Sequence, residues 1–188
     1  QFTAYLINRL DFIRRGGETT RYHTTPTLRN ETVAAHSFHV AMLTLIIAAE
    51  PDDNARRARL MYAALTHDLA EHRFGDVPAP AKRAMDIRAK FAEAEDALLA
   101  EVGLDWATLT EADHRVLKIA DNAAGALECC MERELGNQRA RECFYNFWSY
   151  LDEECQLGYA GIERRELGET ALRRYIAQEW QRVNGGVW

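Results

Sequence analysis

No apolar run in this sequence approaches the length of a membrane span. The longest, Val40 to Ala49, ends at ten residues and already includes Thr44, whereas a bilayer core needs roughly 20. No charged stretch followed by an apolar one opens the chain, so no signal peptide is expected. Cysteine is sparse. Cys129, Cys130, Cys143 and Cys155 form no CxxC pair, and the chain is too long for a disulfide-dense miniprotein. Reduced, packed thiols in a cytosolic compartment are the expectation. Positive charge is also short. There are 23 Lys and Arg against 29 Asp and Glu, a formal charge of -6. That balance excludes wrapping a nucleic-acid polymer, which needs a basic footprint. It leaves room for one nucleotide held in a locally basic pocket. Internal repeats, low-complexity tracts and alternating Val/Ile/Thr runs are absent as well, which argues against a sheet.

What is present reads as helix. Apolar residues make up 47% of the 188 and charged residues 28%, ordinary values for a globular chain able to bury a core. We expect one domain over residues 1–188. Phe2, Leu6, Leu10 and Ile13 recur at helical spacing up to Gly16-Gly17. After a polar stretch to about Glu31, Val33 to Glu50 is apolar on nearly all sides, predicting a buried helix stopped by Pro51. A helix capped by Asn54 runs on toward Gly75. Pro78 and Pro80 mark a turn, and Ala81 to Val102, rich in Ala, Lys, Glu and Leu, predicts another helix closed by Gly103. "TEAD" at Thr110 to Asp113 has the form of a capping box, opening a helix to Leu135. Segments near Arg139–Leu157 and Ile162–Val183 complete an all-α fold of about six or seven helices.

Three of these apolar helices carry hydrophilic groups on their inner faces. His36 opens "AAHSFHVAMLTLIIAA", His67-Asp68 interrupts "MYAALTHDLA", and Asp121 interrupts "VLKIADNAAGAL". Each alone is best read as a core polar group bonded to a neighbour. Together they offer two imidazoles and two carboxylates, a mixed nitrogen and oxygen set suited to a divalent transition metal such as Mn, Co, Fe, Ni or Zn. Glu71 follows His67 by four residues and Asp68 by three, on the same side one turn on. It can touch an attacking water without being a ligand, which is where a general acid or base belongs.

The ordered pattern His36, His67-Asp68, Asp121, with "AAHS" and "HDLAEHRFGDVPAPAK", resembles the HD-domain phosphohydrolase superfamily. Within it, the last segment is similar to the HD-domain 5'-deoxynucleotidases and to compact bacteriophage enzymes that destroy deoxyadenosine triphosphate. The resemblance implies an HD-domain helical bundle. It implies that His36, His67, Asp68 and Asp121 hold one metal, with additional Mg accompanying a triphosphate. It places Glu71 and Asp76 beside the attacking water and leaving group. Arg21, Lys82 and Lys118 match phosphate contacts, a planar fork and two point charges. Tyr22 stands where relatives often carry Trp against the deoxyribose, and Thr24 falls near the base edge, where an apolar residue is expected. Relatives form dimers or larger rings, so a homo-oligomer is implied. The implied location is the cytoplasm, that of the host if a bacteriophage encodes the chain.

Other residues have plainer readings. His39 suits packing beside His36 or orienting it, His72 a surface or loop, and His114 a polar face seven residues before Asp121. Phe144, Tyr145, Phe147, Trp148 and Tyr150 suit core packing or an interface between copies rather than a base-stacking platform. Function divides three ways. The first is hydrolysis of a deoxynucleoside triphosphate, or of a monophosphate. The second is a non-catalytic, metal-dependent nucleotide-binding module, against which Glu71 and Asp76 argue. The third is a helical scaffold. The His36–His67 and Asp68–Asp121 spacings of 31 and 53 residues lie nearer the compact triphosphatases than the longer 5'-deoxynucleotidases.

Overall fold

The computed structural model describes residues 2–22, 24–48, 53–106, 109–156 and 163–185, giving only the backbone for 153–156 and 163–170. Among the described residues the helices are α1 (Phe2–Glu18), α2 (Val33–Ile47), α3 (Asn54–Thr66), α4 (Glu71–Phe74), α5 (Ala79–Ala84), α6 (Arg88–Glu101), α7 (Glu111–Glu134), α8 (Ala140–Gln156) and α9 (Glu163–Val183). The fold is all-α, as the sequence implies. Its only β pairing among these residues is an isolated bridge between Thr20 and Thr32. No described helix is long and apolar enough to cross a membrane. Expectations placed on Pro51 and on the side chain of Cys155 lie outside the described residues. Cys129, Cys130 and Cys143 are free thiols.

Local chemistry sets the helix starts. Thr110 accepts from Asp113 N while the Asp113 carboxylate accepts from Thr110 N, a complete capping box for α7. Thr32 caps α2 through Ala35 N, and Asp53, rather than Asn54, caps α3 through Arg56 N. Helices α2, α3, α7, α8 and α9 enclose the larger core. Val40, Leu60, Ile119, Phe144 and Ile176 are fully buried there, each contributing about 1.5–3 kcal/mol by leaving water. Phe144 stacks on Trp180 with ring centroids 3.8 Å apart, so the aromatic cluster serves the core. A smaller cluster of Phe12, Val33, Leu69, Leu99 and Leu104 ties α1 and α6 to the start of α2.

Four details depart from the sequence reading. Helix α1 continues through Gly16-Gly17, because Gly16 meets the turn after α3: a Cβ there would lie 2.6 Å from Leu69 O. Helix α2 is buried on one side only, with Phe38, Met42 and Ile46 about half exposed at four-residue intervals. The helix expected to run from Asn54 toward Gly75 breaks at Thr66. There the Thr66 hydroxyl donates to Tyr62 O and lies within 3.4 Å of Ala63 O, a back-bond that bends helices. Residues 67–70 then form a turn of i→i−3 bonds. The helix expected over Ala81–Val102 splits at Asp86, whose φ of 51° is left-handed, a conformation that Asp tolerates better than most residues.

Candidate metal centre and active site

A hairpin-like loop starts the site. Arg21 N donates to Glu31 O (2.9 Å) and Val33 N to Thr19 O (2.8 Å), so the segment before α2 doubles back on α1's exit. This puts the buried Arg21 beside the first turn of α2, where His36 is completely buried. The turn after α3 brings in His67 and Asp68, and the face of α7 lined by Ala120 and Ala124 brings in Asp121.

The side chains meet. His36 Nε2 lies 3.1 Å from Asp121 Oδ1 and 3.6 Å from Asp68 Oδ2. His67 Nε2 lies 3.2 Å from Asp68 Oδ1. One ligand atom each from His36, His67 and Asp121 falls within 4.8 Å of the others. The tautomer of His67 is decided by its surroundings. Its Nδ1 lies 2.8 Å from Ala64 O, and a carbonyl only accepts, so Nδ1 carries the proton and donates. Nε2, buried and without a hydrogen-bond partner, is therefore the nitrogen left to face the carboxylate oxygens. A neutral ring aims its lone pair at theirs, a repulsion that a proton or a metal ion between them relieves. The donor set, two imidazole nitrogens and two carboxylates, fits a divalent transition metal.

The electrostatics agree. Burial and the nearby Arg21 cation push His36 down to about 4, leaving it neutral at pH 7 as a ligand must be. Burial favours the protonated forms of Asp68 and Asp121, yet His67 and Arg21 hold the first, and Lys118 and His36 the second, below the usual carboxylate range. Burial lowers His67, but Asp68 and Asp121 outweigh it and raise it. Without a metal, these carboxylates draw a proton onto His67.

Around the centre, Glu71 opens α4 and is buried, with Oε2 lacking a hydrogen bond. Burial, then the charges of Asp68 and Asp76, raise it to about 10. Asp76 is half-buried and accepts from Tyr22 N at 2.8 Å. Arg21 faces the centre, with Nη1 2.8 Å from Asp68 Oδ2. Lys118 Nζ lies 2.7 Å from Asp121 Oδ2 and is half exposed. Lys82 turns instead to α6, 3.3 Å from Glu95 Oε1 and 4.0 Å above the Phe91 ring. Tyr22, at φ 57°, packs edge-on to Phe147. Thr24 is exposed on the same loop. His39 lies exposed on the outer side of α2 and does not orient His36. His72 is partly buried rather than surface-facing, its ring edge-on to Phe12 at 4.5 Å and its Nδ1 bonded to Leu69 O.

Sequence reading missed three acidic residues. Glu31 is buried between Arg21 and His36. Glu95 neutralises Lys82. Glu132 accepts from Leu28 N, Arg29 N and Asn137 Nδ2, pinning the loop that carries Tyr22. Glu31 carries only a faint signal, a carboxylate directly before a helix cap. The other two lie on amphipathic helices where a charge is ordinarily a solvated face.

The chain shares its fold with several solved proteins. A cyanophage S-2L HD phosphohydrolase, DatZ, solved bound to dA and one catalytic Zn2+ ion, matches at a TM-score of 0.67 and 19% identity, over 89% of this chain and 96% of that one. A Pyrococcus horikoshii protein matches at 0.68 and 20%, over 92% and 99%. A Listeria innocua HD-domain phosphohydrolase matches at 0.64 and 15%, over 97% and 99%. No curated protein matches the sequence. The sequence profile described as "HD domain" matches residues 9–113, more than half of the chain. The chain therefore belongs to the HD-domain phosphohydrolase superfamily.

Proposed function

We propose that this protein is a metal-dependent phosphohydrolase of 2'-deoxynucleotides, acting first on a deoxynucleoside triphosphate and releasing deoxynucleoside and triphosphate. The observation that carries the metal-dependent part is the convergence of ligand atoms from His36, His67 and Asp121 within 4.8 Å of one another. The likeness of fold to a phage enzyme solved with dA supports the substrate class and motivates adenine as the base.

In this reading His36, His67, Asp68 and Asp121 hold one divalent cation. Such an ion acts as a Lewis acid and lowers the pKa of water. Glu71, acidic, buried and adjacent, takes or gives the proton at the attacking water. Asp76 fixes Tyr22 N, and with it the loop carrying Tyr22 to the sugar and Thr24 to the base edge. Arg21 and Lys118 neutralise phosphate oxygens by exchanging their present carboxylate partners for the substrate, and Lys82 joins them on release from Glu95. Phosphoryl transfer to water needs mainly this positioning and charge neutralisation. The protein works as one domain over residues 1–188, in the cytoplasm, as a homo-oligomer.

A second reading is a 5'-deoxynucleotidase acting on monophosphates. The Lys82–Glu95 pair favours it, since it withholds positive charge that a triphosphate would use. The test is incubation with each dNTP and dNMP under several added metals, resolving products by chromatography. Triphosphate released from dATP supports the first reading. Inorganic phosphate from dNMP with dNTP untouched reverses the order, and equal turnover of all four dNTPs removes the adenine preference. Metal and nucleotide bound with no product at all would make the chain a binding module.

A further inference from the structure

Four buried polar atoms without hydrogen-bond partners share one neighbourhood: Arg21 Nε, His36 Nδ1, and both carboxylate oxygens of Glu31. Glu31 Oε2 lies 3.6 Å from Arg21 Nε and 4.0 Å from His36 Nδ1. Neither distance is yet a hydrogen bond. Leaving four such buried atoms unpaired is costly, so their convergence needs a purpose. The backbone fixes Glu31 in place: its carbonyl accepts from Arg21 N, and it immediately precedes Thr32, the cap of α2.

We propose that Glu31 is a positioning residue, closing on His36 Nδ1–H and Arg21 Nε–H together when a metal takes His36 Nε2. This rests on the metal-dependent reading above. A ligand nitrogen must be bare, so the His36 proton then resides on Nδ1, the atom facing Glu31. Holding that proton fixes the ring's tautomer and direction and makes Nε2 a stronger donor. The same carboxylate draws Arg21 Nε, so metal loading and the aim of the guanidinium are set by one side chain. The one oxygen Oε2 faces both donors, and a carboxylate meets them with a negative charge, which makes hydrogen bonds to a guanidinium and to a ligand imidazole stronger. A carboxamide of the same shape offers an uncharged acceptor and holds both more weakly.

The test uses zinc as the probe, on the full chain and on Glu31→Gln, with circular dichroism to verify that each is folded. Wild type should bind zinc, and Glu31→Gln should bind it about 10–100-fold more weakly. In the zinc-loaded wild type, nitrogen-15 spectra should show His36 protonated at Nδ1, with that proton protected from solvent exchange. This second readout needs no variant. Zinc binding by wild type with equal affinity in Glu31→Gln overturns the inference alone, as does a His36 Nδ1 that is bare or exchanges freely. Failure of wild type to bind zinc would instead sink the metal-dependent reading, and Glu31's role with it.

Discussion

His36 Nε2 lies 3.1 Å from Asp121 Oδ1, although 85 positions of sequence separate the two residues. An imidazole on the first turn of α2 and a carboxylate midway along α7 meet because the helices between and beside them pack as they do. The proposed metal-dependent chemistry requires that approach.

Replacing Glu71 by Gln keeps its shape but removes the carboxyl proposed to transfer a proton. Turnover should fall about 10²–10⁴-fold, while nucleotide affinity, read by equilibrium binding, stays within a few-fold of wild type. Matching losses in binding and turnover would show that Glu71 holds substrate instead.

Metal addition should raise the melting temperature. A ligand present at 100 times its Kd stabilises the folded state by about 2.7 kcal/mol, or about 5–10 °C for a chain of this size. Asp121→Ala should lose that rise, because it removes both the carboxylate and the group that holds Lys118. Chelation should stop hydrolysis while leaving the helical circular dichroism in place, since the larger core is apolar and contains none of the four proposed ligands. A melting temperature indifferent to every metal tried would contradict the centre.

Gly16→Ala should destabilise. In a helix interior this change ordinarily stabilises by up to about 1 kcal/mol. Here the new methyl would lie 2.6 Å from Leu69 O, a backbone atom that cannot swing aside. Overpacking of that kind costs about 1–3 kcal/mol, so thermal denaturation should show a drop. It should also disturb the turn that presents His67 and Asp68. A gain in stability would mean that α1 is free to shift.

The buried pair of Arg56 Nε and Asp113 Oδ1, 2.7 Å apart, predicts a pH dependence away from the active site. Burial raises Asp113, but the bonds from Arg56 and Thr110 outweigh it and leave its carboxyl below the usual range. A depressed acid contributes stability that is complete above its unfolded value of about 4 and is lost as pH falls through the folded one. Asp113→Asn should therefore cost about 1–3 kcal/mol at pH 7. The gap to wild type should close as the pH drops below about 4. A gap that persists at low pH would show that packing, and not charge, sets the cost.

Much of the fold could be read locally. Thr110 and Asp113 announce the start of α7, and the spacing of Leu172, Ile176 and Trp180 marks the buried seam of α9. The break at Thr66 could not be seen, because a four-residue turn lets Leu65 and Leu69 keep helical spacing while Thr66 takes the carbonyls of the preceding turn. The placement of Lys82 was equally hidden. Its partners Phe91 and Glu95 belong to α6, and only the reversal at Asp86 brings them to it.

By itself the sequence determined the all-α class, the capping box of α7 and the chemistry of the polar groups set on apolar helices, since capping and 3.6-residue periodicity act within about four positions. The tertiary structure alone decided which groups share a centre, that Arg21 faces Asp68, and that Glu31 stands behind His36. Those relations depend on helix packing and on a loop with no periodicity, and neither is encoded in any short window of residues.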